Sequence, residues 1–174
     1  MKANSGAGEA AGVSLPGPQH NKRMTEITPK RTIEAWRNHV VRTSSWDNIT
    51  DYYREQIKGG ARLDPMLRLV EAIAGSPAAT ELYGTTSTDE LLLSELFGAT
   101  STHDLLLSDC PDFRAGDSTL RIAYHPGEHG FVFHHHCFSG HDDHKNCDEA
   151  DGGATFSAFL KYKYGVLFEM PTMA

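Results

Sequence analysis

The residues best suited to chemistry are concentrated in one stretch of this chain, from His125 to Cys147. The stretch reads HPGEHGFVFHHHCFSGHDDHKNC and holds seven of the ten histidines and two of the three cysteines. Imidazole and thiolate are the side chains that bind zinc and related metals in proteins. The types of residue therefore indicate a zinc site, whereas their spacing matches no standard zinc motif.

The run FVFHHHCF, residues 131–138, is predicted to be a strand, on which successive side chains point to opposite faces. His135 and Cys137 share a face with two phenylalanines, so we expect both to be buried packing residues, with the polar atoms of His135 satisfied inside the fold. His134 and His136 lie two apart on the opposite face, which we expect to be the outer one. Two imidazoles spaced in this way reach one metal ion from a strand.

Further ligands for such a site lie in the loop after the strand. The candidate metal ligands are His134, His136, Cys137, His141, His144 and Cys147. The competing interpretation is a polar strand face and a solvated acidic loop without any cofactor, and the irregular spacing favours it. A zinc-binding module built on residues 125–147 is the alternative.

Other catalytic patterns are missing from the sequence. Neither GxGxxG nor GxxxxGK followed by Ser or Thr occurs, so no phosphate-binding loop is indicated. Cys110 precedes Pro111 with no histidine beside it, which gives no sign of a thiol nucleophile. We therefore predict a non-enzymatic protein.

The charge is negative and unevenly distributed. A net charge of -7 argues against a nucleic-acid binder, which needs a basic surface to neutralise phosphates. Residues 1–32 hold five basic groups against two acids, and residues 139–151 hold five acids against Lys145 alone. We expect this acidic β side to bind another protein, and we expect no nucleic-acid or membrane partner.

The cysteine count and the hydropathy pattern indicate the compartment. Three cysteines are an odd number and make no disulfide framework for a chain of 174 residues. Lys2 is followed by no apolar run of the signal-peptide type, and nothing approaches 18 consecutive apolar residues. The sequence predicts a cytoplasmic protein with reduced thiols.

The chain divides into a tail and one domain. Residues 1–27 are rich in Gly, Ala, Ser and Pro without apolar periodicity, so we predict a disordered tail. Residues 28–174 are predicted to form a single domain that begins with four helices. The first helix follows Thr28-Pro29, with Ile33, Trp36 and Val40 facing inward, and the second runs from Ser45 to Gly59, with Trp46, Ile49, Tyr53 and Ile57 facing inward. The third helix follows Asp64-Pro65 and ends at Gly75, and its inward residues are Met66, Leu69, Val70 and Ile73. The fourth helix is short and spans Pro77 to Tyr83.

A tandem repeat follows the helices. ELYGTTSTDELLLS, residues 81–94, and ELFGATSTHDLLLS, residues 95–108, are identical at 10 of 14 positions. Two copies are too few for a solenoid, so we expect one copy to be structurally surplus. A capping box in the first copy predicts a helix over 88–97, whereas the proline that follows the second copy leaves room only for a strand over 103–109.

The last third of the chain has the pattern of a β-hairpin and a closing helix. Ser118–Tyr124 and Phe131–Phe138 are the predicted strands, joined by a turn that contains Pro126-Gly127. A polar loop over 139–153, a helix over Ala154–Tyr164 and a short strand over Val166–Met170 complete the prediction. The expected fold is α+β, with an N-terminal helical layer packed on an antiparallel sheet of three to four strands and a closing C-terminal helix.

Two resemblances add to this interpretation. Residues 65–110, with the segments PMLRLVEAIAGSPAATELYG and ELFGATSTHDLLLSD, resemble a group of small bacterial proteins of unknown function, as do Leu120–Ala123 and the closing FSAFLKYKYG. The resemblance implies an α+β fold and, by analogy with small acidic proteins, an immunity or antitoxin-like binding role.

The second resemblance is shorter. Cys110-Pro111, HHHCFSG and FSAFLKYKYG are similar to the zinc-ribbon domain of DNA primases, in which a Cys-Pro-x-His pair and a His-Cys-Phe-x-Cys pair hold zinc. Phe113 stands here at the first histidine position, and His141 lies one residue beyond the place of the last cysteine. The resemblance implies zinc in this region, with two of the four ligand positions changed.

Overall fold

The computed structural model describes residues 41–86, 103–111, 118–128, 130–137 and 142–170. The described part is an α+β fold with three α-helices, two short 3₁₀ turns and one antiparallel sheet. The helices are α1 (Trp46–Lys58), α2 (Asp64–Ala74) and α3 (Gly152–Lys163), and the 3₁₀ turns are Pro77–Thr80 and Glu149–Asp151. The strands are β1 (Tyr83–Thr86), β2 (Leu105–Ser108), β3 (Thr119–His125), β4 (Gly130–His136) and β5 (Asp143–Cys147).

The sheet is a meander in which each strand pairs with the next one along the chain, in the order β1-β2-β3-β4-β5. The predicted hairpin is confirmed, because β3 and β4 pair antiparallel with Ile122 opposite Phe133. The prediction of three to four strands is wrong, because β5 makes a fifth within the segment that we expected to be loop. β5 reads DHKNC and is exposed along most of its length, so it lacks the apolar alternation by which a strand is recognised.

The first two described helices follow the sequence prediction closely. Ser45 caps α1 by accepting a hydrogen bond from the backbone N–H of Asn48, and α1 ends before Gly59. The inward residues of α2 are buried as predicted, and the helix ends before Gly75. Asp64, after which the helix was predicted to begin, lies inside the first turn of α2, and Leu63 occupies the N-cap position without a side-chain capping hydrogen bond.

The segment after α2 differs from the prediction. The helix expected from Pro77 to Tyr83 is a single 3₁₀ turn, and the chain then enters β1. Gly84 explains the change, since a Cβ there would lie 3.1 Å from Ile49 Cδ1 and 3.2 Å from Leu107 Cδ2. The missing side chain lets β1 approach α1 and β2 closely, and that contact places this residue in a strand.

The second copy of the repeat forms β2, which confirms the strand predicted over 103–109. All four residues of β2 are buried, because the strand lies between β1 and β3 in the interior of the sheet. The first copy supplies β1 from its opening residues. The helix predicted over 88–97 lies outside the described residues, as do the tail over 1–27 and the helix predicted after Thr28-Pro29.

Helix α3 closes the fold over β4, as predicted. The Phe133 ring stacks against Phe156 and Phe159 with centroids 6.4 and 5.6 Å apart, and Phe156 is fully buried. The strand predicted over Val166–Met170 is wrong: within the described residues this segment pairs with no strand, although Val166 and Phe168 are buried in the alternating manner of one.

No helix in the described ranges is both long enough and apolar enough to cross a bilayer.

Candidate functional site

Three histidines gather on the face of the sheet that is opposite the helices. His134 on β4 and His144 on β5 are cross-strand partners with ring centroids 6.0 Å apart, and His136 lies 6.5 Å from His134. His136 Nδ1 lies 3.1 Å from Asp142 Oδ1, and the same oxygen accepts a hydrogen bond from the backbone N–H of Cys137. A carboxylate that orients an imidazole is a common companion of metal-binding histidines.

The charges around this row act in opposite directions. Partial burial lowers the pKa of His134, and the neighbouring imidazoles of His136 and His144 lower it further, whereas Asp142 raises it. Burial raises the pKa of Asp142, but the hydrogen bond from Cys137 and the imidazole of His136 outweigh it, so this pKa lies below its usual value. The pKa of the central imidazole and the pKa of Asp142 are therefore both lower than usual.

The candidate metal ligands do not all converge. Cys147 lies opposite Phe131 and packs against the helical core, on the other face of the sheet from His134. Cys137 directly follows β4 and is half-buried, and its backbone N–H donates to Asp142. His141 lies outside the described residues, and within them no three His, Cys, Asp or Glu side chains are arranged to hold a metal ion.

His135 is buried, as predicted, among the core residues. It is 3% exposed, its Nε2 lies 2.6 Å from Ser118 Oγ, and its ring contacts Tyr164 edge-on. Burial lowers its pKa, and the ammonium of Lys163 adds to the effect. The expectation that all its polar atoms are satisfied is wrong, because Nδ1 is buried without a hydrogen-bond partner in the described structure.

A serine hydroxyl beside an imidazole is also the beginning of a nucleophilic pair, which needs a third group to orient the base. In the described residues no carboxylate bonds to Nδ1 of His135, and the ring is closed off from solvent. The Ser118–His135 contact is therefore best explained as a core hydrogen bond.

The face that carries the histidine row is less open than the sequence predicts. Arg121 pairs with Asp104 through Nε and Oδ2, 2.6 Å apart, and the two side chains are only 10% and 1% exposed. Ala123 and Leu106 on the same face are also buried. Arg121 alternates along β3 with the core residues Leu120 and Ile122, and no sequence signal pointed to this buried ion pair.

The feature that sequence reasoning missed is a groove beside β5. Within the described part of the chain β5 pairs with β4 alone, so its other edge is open. Helix α3 runs alongside that edge and presents Thr155, Ala158, Phe159 and Tyr162, spaced as one helical stripe. Tyr162 is 81% exposed. We call the space between β5 and this stripe the edge groove.

Two neighbouring cavities make up the edge groove. One, of about 490 Å³, lies towards Asp148 and Asp151, and the other, of about 290 Å³, lies towards Phe159 and Tyr162. Lys145 lines both cavities, so they are continuous along the strand.

Protein-family models, curated proteins and solved structures offer no match to this chain. The case for a site therefore depends on the geometry of the described residues.

Proposed function

We propose that this protein is a small non-enzymatic binding module that captures an extended segment of another protein at the edge groove. The segment adds to the sheet as a sixth strand beside β5. The observation that supports this proposal is that, among the residues the structure describes, the exposed strand β5 has no neighbour on its outer edge, and the exposed Tyr162 lies across the groove from it.

The physical reason lies in the backbone of β5. An edge strand presents N–H and C=O groups that a further strand can satisfy, and strand addition at such an edge is a recurrent mode of peptide recognition. Main-chain hydrogen bonds give such a complex its affinity, and pockets for alternate side chains give it specificity. The edge groove provides both elements, since β5 offers the backbone and α3 forms the opposite wall.

The acidic side of the protein is the same region. Asp148, Glu149 and Asp151 follow β5 directly and are exposed. A cytoplasmic protein that blocks or stabilises a partner through this side, in the manner of immunity or antitoxin-like proteins, fits the shape and charge of the surface.

Zinc binding is the alternative function, supported by the row of His134, His136 and His144 and by the contact of His136 with Asp142. The geometry supports it less than strand addition, because ring centroids 6.0 and 6.5 Å apart require side-chain rotation before three nitrogens meet at one ion.

A peptide selection tests strand addition directly. A random-peptide library displayed on phage is selected against the full chain, and each selected peptide is titrated into ¹⁵N-labelled protein. We expect shifts and slowed hydrogen exchange at the amides of β5, because half of the backbone groups of an edge strand gain partners when a strand is added.

N-methylation of the selected peptide provides the matched control. In an antiparallel pair, alternate residues turn their N–H groups towards the neighbouring strand. Methylation at one set of alternate positions should abolish binding, and methylation at the other set should leave it unchanged. Selected peptides that shift only residues outside β5 and α3, or a selection that yields no binder, would contradict the proposal.

A further inference from the structure

The shape and charge of the edge groove favour particular side chains in the segment that binds there. On a strand added beside β5, every second side chain points to the α3 side of the sheet and so into the groove. The two cavities are lined on β5 by the overlapping runs 145–147 and 143–145, whose midpoints, Asn146 and His144, are two residues apart. Two residues of an extended strand span about 7 Å. Side chains at positions i and i+2 of the guest therefore fall one into each cavity.

The smaller cavity suits a large apolar side chain. Phe159 and Ala158 form its wall on the helix, and the Tyr162 ring lies at its margin with Lys163 Nζ 5.0 Å from the ring centroid. Lys163 at this end forms an ion pair with Asp143, and Lys145 lies where this cavity borders the larger one. An apolar guest side chain beside Phe159 and Tyr162 covers exposed aromatic surface without separating the Lys163–Asp143 pair.

The larger cavity suits a basic side chain. Asp148 and Asp151 line it together with Lys145, so carboxylates outnumber the ammonium. The neighbouring Glu149 is engaged by Arg68 and by the Tyr124 hydroxyl, whereas within the described residues no ion pair involves Asp148 or Asp151. A guest Lys or Arg at this end meets two carboxylates with which no described side chain forms an ion pair.

The direction of the guest follows from the sheet. All four strand pairs of the meander are antiparallel, and antiparallel pairs are the commoner kind in proteins. A guest that runs antiparallel to β5 passes the Cys147 end first and the Asp143 end last. It therefore meets the acidic cavity before the aromatic one.

Building on the proposed function, we infer that the partner segment is an extended peptide with Lys or Arg two residues before an aromatic or large aliphatic residue. This pattern specifies the register and direction of the guest.

Four synthetic peptides of one length test the inference, each titrated into ¹⁵N-labelled full-length protein. The matched peptide is acetyl-Gly-Thr-Arg-Thr-Phe-Thr-Gly-amide. The phase control places Arg and Phe next to each other, the direction control exchanges them, and the charge control replaces Arg by Gln. We expect the matched peptide to bind about three- to fivefold more tightly than each control, the size of one exposed charge contact. The preference over the charge control should shrink when salt is raised.

Variants of the protein assign each preference to its cavity. The double change Asp148→Asn, Asp151→Asn should bring the Arg and Gln peptides to equal affinity, and Tyr162→Ala should weaken both peptides alike. Glu81→Gln removes an exposed acid outside the groove and should change neither. All these side chains are exposed, so the variants are expected to keep the fold.

The outcomes separate the two proposals. If peptides bind along β5 but the matched sequence is no better than its controls, strand addition stands and the inferred pattern is wrong. If no peptide, selected or synthetic, perturbs the β5 amides, both are wrong. Tighter binding of the Gln peptide than of the Arg peptide would overturn the inferred pattern, since it would mean that Lys145 rather than the aspartates sets the charge preference of the larger cavity.

Discussion

Removing residues 87–100 should leave the fold intact and make it more stable. In the sheet Thr86 of β1 lies opposite Leu105 of β2, so residues 87–104 form an 18-residue connection between two paired strands. Deleting the 14 residues joins Thr86 to Ser101 and restores a single copy of the repeat, ELYGTTSTHDLLLS. The connection then has four residues, a common length for a β-hairpin loop.

The size of the effect follows from loop closure. For a connection that makes no contacts of its own, the entropic cost of closure grows as three halves of RT times the logarithm of its length, so shortening it from 18 to four residues lowers the cost by about 1.3 kcal/mol. The deletion keeps His103, whose Nδ1 lies 2.7 Å from the Tyr52 hydroxyl, and Asp104, which pairs with Arg121. Contacts that hold β2 in place are therefore retained.

Urea denaturation of the two proteins measures this difference in the free energy of unfolding. A third protein, with residues 87–100 replaced by 14 Gly and Ser residues, keeps the loop length and removes its sequence. We expect it to match the wild type while the deletion is more stable than both. A deletion variant less stable than the wild type by 1 kcal/mol or more would refute the reasoning, since it would mean that residues 87–100 contribute contacts to the fold.

Three further predictions concern the histidine row and the packing of α3. The pKa of His134 is lower in the folded protein than its ordinary value of 6.5, so the free energy of unfolding should decrease as pH falls below about 6.5. The difference in this free energy between pH 7.5 and 5.5, measured by urea denaturation, should be smaller in His134→Gln than in the wild type. The double change His134→Ala, His136→Ala should cost under about 1 kcal/mol with or without zinc, and a zinc-dependent rise in wild-type Tm that the double variant lacks would establish a metal site. Gly152→Ala should destabilise the protein by about 1–3 kcal/mol in urea titrations, because the added Cβ would overlap the Phe131 ring. Gly153→Ala displaces only the flexible side chain of Met170 and should destabilise the protein less. Equal losses of stability in the two variants would contradict this explanation.

The sequence predicted those elements that carry their own local signals. Ser45 marks the start of α1 through a capping hydrogen bond made with a residue three positions away, and the apolar stripe of α2 is complete within eleven residues. The β3–β4 hairpin was equally legible, because the buried residues of β4 alternate one by one.

The elements that sequence reasoning missed depend on distant neighbours. The segment 166–170 alternates in burial like a strand. In the described structure, however, its backbone pairs with no strand, and Phe168 packs against Phe156 of α3. β5 has no apolar alternation and is defined only by its pairing with β4. The local sequence pattern predicts neither the lack of pairing at 166–170 nor the pairing of β5 with β4.

The candidate site shows the same division. The sequence correctly placed His134 and His136 on one face and His135 on the other, because alternation alone decides that. The edge groove arises because α3 approaches β5 in the fold. In the sequence, the residues of both walls have the pattern of an ordinary polar surface. The sequence could not predict the buried ion pair of Arg121 and Asp104 either, since this pair depends on the pairing of β2 with β3.

The contact of Asp104 with Arg121 also has a consequence for how the chain finds its fold. A folding molecule contains two identical LLLS runs, 14 residues apart, and the backbone of β3 cannot distinguish them. The residues just before each run can: His103-Asp104 precedes the second, and Asp89-Glu90 precedes the first. The glutamate is one methylene longer than the fully buried aspartate that it would replace opposite Arg121. Of the two runs, the second is thus the one preceded by the shorter carboxylate that pairs with Arg121 in the fold.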